Sequence, residues 1–168
     1  NFKKLTLDEI KCIDTVDVYI RDPFERYVSG VQTYLTKVLS DDCDQATALT
    51  FVNQFLFLNR HFALQLHWIL NLVQYASEDL QINIRHISES YTLTPERRNT
   101  STLNKDIKQN LSSNNQLSYW LLADNILYKT LMNQTVTIRK LLEVFEGTYP
   151  DLYREMFKAS LRIANELP

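Results

Sequence analysis

The stretch from Val16 to Ile20 is short, rich in β-branched residues and closed by a turn signal, a pattern that predicts a buried strand. Helical spacing follows at once. Asp22 suits an N-cap, Pro23 suits the first helical position and Glu25 stands three residues after the cap, so a capping-box helix is expected from Pro23 to about Leu39. On that helix Phe24, Tyr27, Val28, Val31, Tyr34, Leu35, Val38 and Leu39 gather on one side, while Arg26, Ser29, Gly30, Thr33 and Lys37 gather on the other. Asp41, Asp42 and Asp44 mark a polar break, after which Ala48 to Leu58 reads as an almost continuously apolar, deeply buried helix. His61 to Tyr75 is mostly helical in spacing. Leu80 to Ile87 alternates apolar and polar residues, the period of a second strand.

Thr92 to Asn115 is rich in Thr, Ser, Asn and charge and contains Pro95, which predicts a loop with a helical turn at most. Leu117 to Met132 returns to helical spacing, and Val136 to Glu146 is a further helix, stopped by Gly147 at the usual C-terminal capping position. Thr148-Tyr149-Pro150-Asp151 starts a last helix reaching about Glu166. Two strands separated by helices suggest a small parallel sheet covered by helices, because a parallel pair needs a crossover connection. The expected class is α/β and mostly helical. Two strands make a poor sheet, so either the chain is a largely helical domain or it is the C-terminal part of a larger α/β protein.

Composition narrows the function classes. At 168 residues and 45% hydrophobic content the chain fits one domain and is too apolar to be disordered. A formal net charge of −2 gives no global positive field for nucleic acid or an anionic membrane, so any anion site must be local. Cys12 and Cys43 lie in unrelated contexts and read as two free thiols. No apolar stretch approaches the roughly 20 residues that span a bilayer. The first residues lack the order of a secretion signal, and the chain as given is expected to be soluble, with a cytoplasmic location favoured. Gly30 and Gly147 are the only glycines, which excludes a GxxxxGK phosphate loop from these residues.

Chemistry concentrates where the first strand meets its helix. Arg21 sits beside a helix start whose free N–H groups and dipole favour an anion, and its guanidinium fork can hold a phosphate through two charge-assisted hydrogen bonds. Ser29, two turns along, can donate a hydroxyl to the same group. The competing reading pairs Arg21 and Arg26 with Asp22, Glu25 or nearby carboxylates on a solvated surface. Strand, cap, proline and serine holding their places together favour the anion site.

The run Val18-Tyr19-Ile20-Arg21-Asp22-Pro23-Phe24-Glu25-Arg26-Tyr27-Val28-Ser29 resembles the strand-loop-helix of sulfotransferases, especially the carbohydrate branch with its pattern R-D-P-x-x-R-x-x-S. In that family the first arginine and the serine bind the 3′-phosphate of 3′-phosphoadenosine 5′-phosphosulfate, which the resemblance assigns here to Arg21 and Ser29. Arg26 matches the second arginine and is expected to be more structural than ligand-binding. His61-Phe62-Ala63-Leu64-Gln65 is similar to the family's H-[WF]-x-P-Q segment, with Leu64 in place of the proline. Ile82 to Glu89, Asn99-Thr100-Ser101 and the aromatic run Tyr119 to Tyr128 resemble later family segments in the same order. The likeness covers roughly residues 15 to 131 and leaves two further helices, 136 to 168, outside it. It implies a P-loop-type sulfotransferase fold, the nucleotide as sulfate donor without a metal, and a hydroxyl of a carbohydrate-like acceptor. The family's 5′-phosphosulfate loop lies well before the first arginine, whereas twenty residues precede Arg21 here, so the isolated chain is expected to be incomplete and inactive. The alternative is a non-catalytic helical binding or oligomerisation module, such as a homodimer, derived from that fold.

Remaining candidates are weaker. His61 is a catalytic or acceptor-side residue on resemblance alone, against a structural histidine. Arg98, next to Arg97, is a candidate to close over the nucleotide, against a solvated pair. His61 and His67 stand six apart and no HExxH spacing occurs, so no metal is expected. Trp68, Trp120, Tyr119 and Tyr128 are expected in the core. Asp124, a mid-helix carboxylate among apolar residues, needs a structural hydrogen bond.

Overall fold

A computed structural model of the chain describes residues 6–37, 45–54, 62–73, 75–89 and 102–157. A short helix, α1 (Leu7–Lys11), is closed by a capping box between Thr6 and Glu9 and leads into β1 (Thr15–Ile20). Then come α2 (Pro23–Lys37), α3 (Gln45–Gln54), α4 (Gln65–Val73), β2 (Gln81–His86) and a 3-10 turn at Ile87–Glu89. After these lie α5 (Thr102–Ser112), α6 (Asn115–Asn125), a π-helical turn at Ile126–Thr130, β3 (Thr135–Thr137) and α7 (Ile138–Thr148). Residues 150–157 are helical as well.

β1 and β2 pair in parallel, with Val16 beside Ile82, Val18 beside Ile84 and Ile20 beside His86. That register collects the aliphatic side chains on one face, where Ile20, Ile82 and Ile84 are fully buried, because side chains alternate across a strand. The other face is polar. There Asn83 donates to Asp17 at 2.8 Å and Thr135 donates to Asn83 at 2.6 Å, a ladder across three strands. In the order β1-β2-β3 the first strand is an edge, and among the described residues no strand pairs with its outer side.

The sheet corrects the expectation of two parallel strands. Among the described residues it has three and is mixed, since β3 runs antiparallel to β2 with Val136 opposite Ile82. Thr135-Val136-Thr137 is too short for its own periodicity to show, and it merges with the helix that follows. Thr137 is in fact the N-cap of α7, its side chain accepting the Lys140 N–H at 3.1 Å. Asn133 makes the preceding turn possible by taking φ of 62°, a left-handed conformation that Asn tolerates better than most residues.

Three other expectations change. Within the expected loop, Thr102–Ser112 is a helix of 11 residues, α5, while 92–101 lie outside the described residues. Its polar composition hid a narrow apolar stripe, for Ile107 and Leu111 stand four apart and are both fully buried. Gly147 does not cap α7. It lies inside the helix with no positive φ, and the helix ends at Tyr149. Trp68 is 52% exposed and Tyr119 37% exposed, against the expectation of core packing. On α4 the buried stripe is Leu66, Ile69 and Leu70, which turns Trp68 outward. Trp120 and Tyr128 are partly buried against the core as expected.

The core is one cluster running from Ile20 to Met156, so the C-terminal helices share it with the sheet. Tyr27 and Tyr34 of α2 meet Phe62 edge-on, with ring centroids 5.7 Å and 5.4 Å apart, which fastens α2 to the segment before α4. Among the described residues no helix is long and apolar enough to cross a membrane. Cys12 is a free, exposed thiol, and Cys43 lies outside the described residues.

An added Cβ at Gly147 would meet nothing within 4 Å. Gly147→Ala is therefore expected to stabilise the chain by about 0.5 kcal/mol, because it restricts the unfolded state without strain in the helix. The urea midpoint measures this. A lowered midpoint would point back to a left-handed cap at that position.

Candidate functional site

The carboxyl end of β1 and the start of α2 are shaped by short-range bonds. Asp22 Oδ1 accepts the Glu25 N–H at 2.9 Å, one half of the expected capping box, and the Asp22 carbonyl accepts the Arg26 N–H at 2.9 Å. Glu25 turns its carboxylate to Lys108 of α5 at 2.7 Å. Both side chains are well exposed, so the pair contributes at most about 1 kcal/mol.

Between β1 and α2, Arg21 is held by its backbone. Its N–H donates to Gln65 Oε1 at 3.1 Å, and its carbonyl accepts from Gln65 Nε2 at 3.0 Å. One buried amide thus satisfies both main-chain groups of the residue at the turn. Gln65 is itself fixed by Asp124, 59 residues away on α6. Asp124 Oδ2 accepts the Gln65 N–H at 2.8 Å and Oδ1 accepts the Leu66 N–H at 2.8 Å. The carboxylate therefore caps the first turn of α4 from a different helix, satisfying two N–H groups that a helix start leaves open.

Arg26 completes the network. Its Nη1 donates to the Ala63 carbonyl, and its positive charge attracts Asp124. Burial lowers the Arg26 pKa, Asp124 opposes that shift, and the charge on Arg21 adds to it. Burial raises the Asp124 pKa, while the two backbone N–H bonds, Arg26 and the Gln65 amide all pull it down. The structural bond expected of Asp124 is present, and Arg26 is tied to the segment before α4.

These bonds decide which cation stays available. Asp22 is spent on its cap, Glu25 on Lys108 and Arg26 on the Ala63 carbonyl. Among the described residues the Arg21 guanidinium has neither an ion pair nor a hydrogen bond, so the surface pairing considered for it does not form there. The half-buried Ser29 accepts the Thr33 hydroxyl on its carbonyl at 2.9 Å, and among the described residues its own hydroxyl donates to none. Arg21 and Ser29 thus present available donors on one strand-to-helix unit. His61 and Arg98 lie outside the described residues.

Gln65 is the participant that periodicity and composition did not single out. Its one signal was the final position of the segment Phe62-Ala63-Leu64-Gln65. An open groove of about 330 Å³ lies nearby, lined by Phe24, Ser112, Ser118, Leu121 and Asn125. None of these is charged, so the groove adds nothing to an anion site. Among the described residues no group of three His, Cys, Asp or Glu side chains is placed to hold a metal ion.

Comparison with protein-family models, with curated proteins and with solved structures gives no match.

Two measurements follow from the network. Asp124→Ala leaves the Arg26 charge and two helix N–H groups uncompensated, and is expected to cost about 3–5 kcal/mol in chemical denaturation. A loss under about 1 kcal/mol would show that water replaces the carboxylate. His67, buried on α4, has its pKa lowered from 6.5 to about 4 by burial and by the Arg26 charge. It stays neutral in the native chain where the unfolded chain already takes a proton. Stability present above 6.5 is thus lost as pH falls towards about 4, by about 3 kcal/mol in all. His67→Phe is expected to flatten that limb of the stability profile, and an unchanged limb would assign the acid sensitivity to other groups.

Proposed function

We propose that this chain is a sulfotransferase-like protein whose Arg21 and Ser29 bind the 3′-phosphate of 3′-phosphoadenosine 5′-phosphosulfate. One observation carries it. Gln65 grips both backbone groups of Arg21 and so joins the two segments that hold the family-like residues, while the Arg21 guanidinium has no partner among the described residues. A cation held by its main chain at the carboxyl end of a parallel strand, beside a helix start, suits a phosphate both electrostatically and sterically.

In the same proposal, sulfate passes from the donor to a hydroxyl of a carbohydrate-like acceptor. The residues in hand supply the 3′-phosphate side. With Gly30 and Gly147 the only glycines, they contain no glycine-rich loop for the 5′-phosphosulfate. Transfer therefore depends on groups beyond Arg21 and Ser29. Arg26 serves the site from behind, by fixing the Ala63 to Leu66 turn against α2.

A second reading, a non-catalytic assembly module, draws on the edge position of β1, whose outer side pairs with no described strand. Both readings meet the same experiment. Adenosine 3′,5′-bisphosphate at about one hundred times its dissociation constant is expected to add about 2.7 kcal/mol of native stability, seen as a raised melting temperature. Arg21→Ala is expected to weaken binding by about tenfold to a hundredfold, and Ser29→Ala by less. A chain that binds no nucleotide and sediments as a dimer supports the assembly module instead. A shift of the same size with Arg21→Ala would overturn the phosphate assignment.

A further inference from the structure

Arg21 stands where neither sheet nor helix provides for its main chain. β1 ends at Ile20 and α2 begins at Pro23, so the Arg21 N–H and carbonyl fall outside both hydrogen-bond patterns. Gln65 supplies both partners, Oε1 accepting from the N–H at 3.1 Å and Nε2 donating to the carbonyl at 3.0 Å. One amide can reach both groups because in extended backbone the N–H and carbonyl of a residue point to the same side. The Gln81 N–H bonds to the Asp14 carbonyl, which sets the even-numbered residues of β1 towards β2 and the odd-numbered ones, with Arg21 next in line, towards the outer edge. Gln65 thus stands in for a neighbouring strand and carries β1 one residue further. The amide's own orientation is fixed as well. Asp124 Oδ2, which accepts the Gln65 backbone N–H at 2.8 Å, lies 3.5 Å from Nε2. A carboxylate oxygen only accepts, so it draws the NH2 end of the amide and leaves Oε1 to the Arg21 N–H. Arg21 and Asp124 therefore demand the same flip of one buried side chain.

We propose that Gln65 is a positioning residue of the Arg21 anion site, setting its affinity by holding the Arg21 backbone extended before the anion arrives. This rests on the reading of Arg21 as a phosphate ligand and deepens it by naming what prepares the arginine. Gln65 does not itself bind the anion. Its two side-chain N–H groups go to the Arg21 carbonyl and to Asp124, and its oxygen can only accept. Without the amide, the Arg21 backbone is left to be ordered at the moment of binding, which weakens affinity by about tenfold for one residue. By linkage, a bound anion in turn favours the closed amide clamp by the same factor.

The test titrates adenosine 3′,5′-bisphosphate by calorimetry into the wild type, Gln65→Met, Arg21→Ala and the double variant. Methionine is unbranched and flexible enough to fill the site, and it offers no amide to Arg21. Gln65→Met is expected to bind about tenfold more weakly than the wild type. In the Arg21→Ala background the same change is expected to cost at most about twofold, because the amide acts through that arginine. A merely structural role would lower the fraction of competent chain, read as stoichiometry, without coupling the two positions. Wild-type affinity in Gln65→Met, or an equal loss in both backgrounds, would overturn the role of Gln65 and leave the phosphate reading standing. No binding by the wild type, or binding indifferent to Arg21→Ala, would overturn both. If Gln65→Met fails to fold, hydrogen exchange in the wild type decides the matter. On saturation with the nucleotide the Arg21 N–H should slow by about fivefold or more beyond the slowing of the α7 amides, and equal slowing rejects the proposal.

Discussion

Asp124 places a carboxylate in the core at 1% exposure and surrounds it with donors. Taking such a charge out of water costs several kcal/mol, and only good geometry offsets that. Here each oxygen accepts one N–H of the first turn of α4 at 2.8 Å, and the Arg26 guanidinium adds an opposite charge. The order of dependence then runs outward. Asp124 fixes the first turn of α4, that turn aims the Gln65 amide, and the amide holds Arg21 by its backbone. A residue at the rim of the sheet is positioned by a charge in the interior.

Such a chain of bonds leaves few free choices at the rim. Arg21 is flanked by carboxylates that could neutralise it, and each is already engaged, Asp22 by its own helix and Glu25 by Lys108. A guanidinium fixed at its main chain, with no described group at its tip, loses less freedom on meeting an anion than one on a mobile loop. The proposed anion site therefore draws on the set of competitors withdrawn from Arg21 as much as on Arg21 itself.

Much of this was legible in the sequence where one residue type settles a local question. Asp22, Pro23 and Glu25 marked the start of α2, and the β-branched run before them marked β1. The lone aspartate in an apolar helix announced that Asp124 needs a partner. What stayed hidden depends on distant neighbours or on very short runs. Thr135–Thr137 is a strand only because β2 offers an edge beside it, and α5 is a helix whose apolar face rests on Ile107 and Leu111. Gln65 reads as an ordinary polar residue until Arg21 and Asp124 are brought against it. Trp68 was misplaced because large aromatic surface alone says nothing of which face of α4 it occupies.

The two arginines of the strand-to-helix unit divide their work for an energetic reason. Arg26 is largely buried, bonded to the Ala63 carbonyl and opposed in charge to Asp124. Turning it towards a ligand would strip that carbonyl of its donor and leave the carboxylate unbalanced, a cost of the same order as the free energy of a new bond to phosphate. Arg21 carries no such obligation among the described residues. Its charge also lowers the pKa of Arg26, so an anion that neutralises Arg21 would ease the repulsion on the buried pair as well as fill the rim. In the proposed site, phosphate binding would then be coupled to internal stability in the same direction, through one guanidinium just before α2 and one in its first turn.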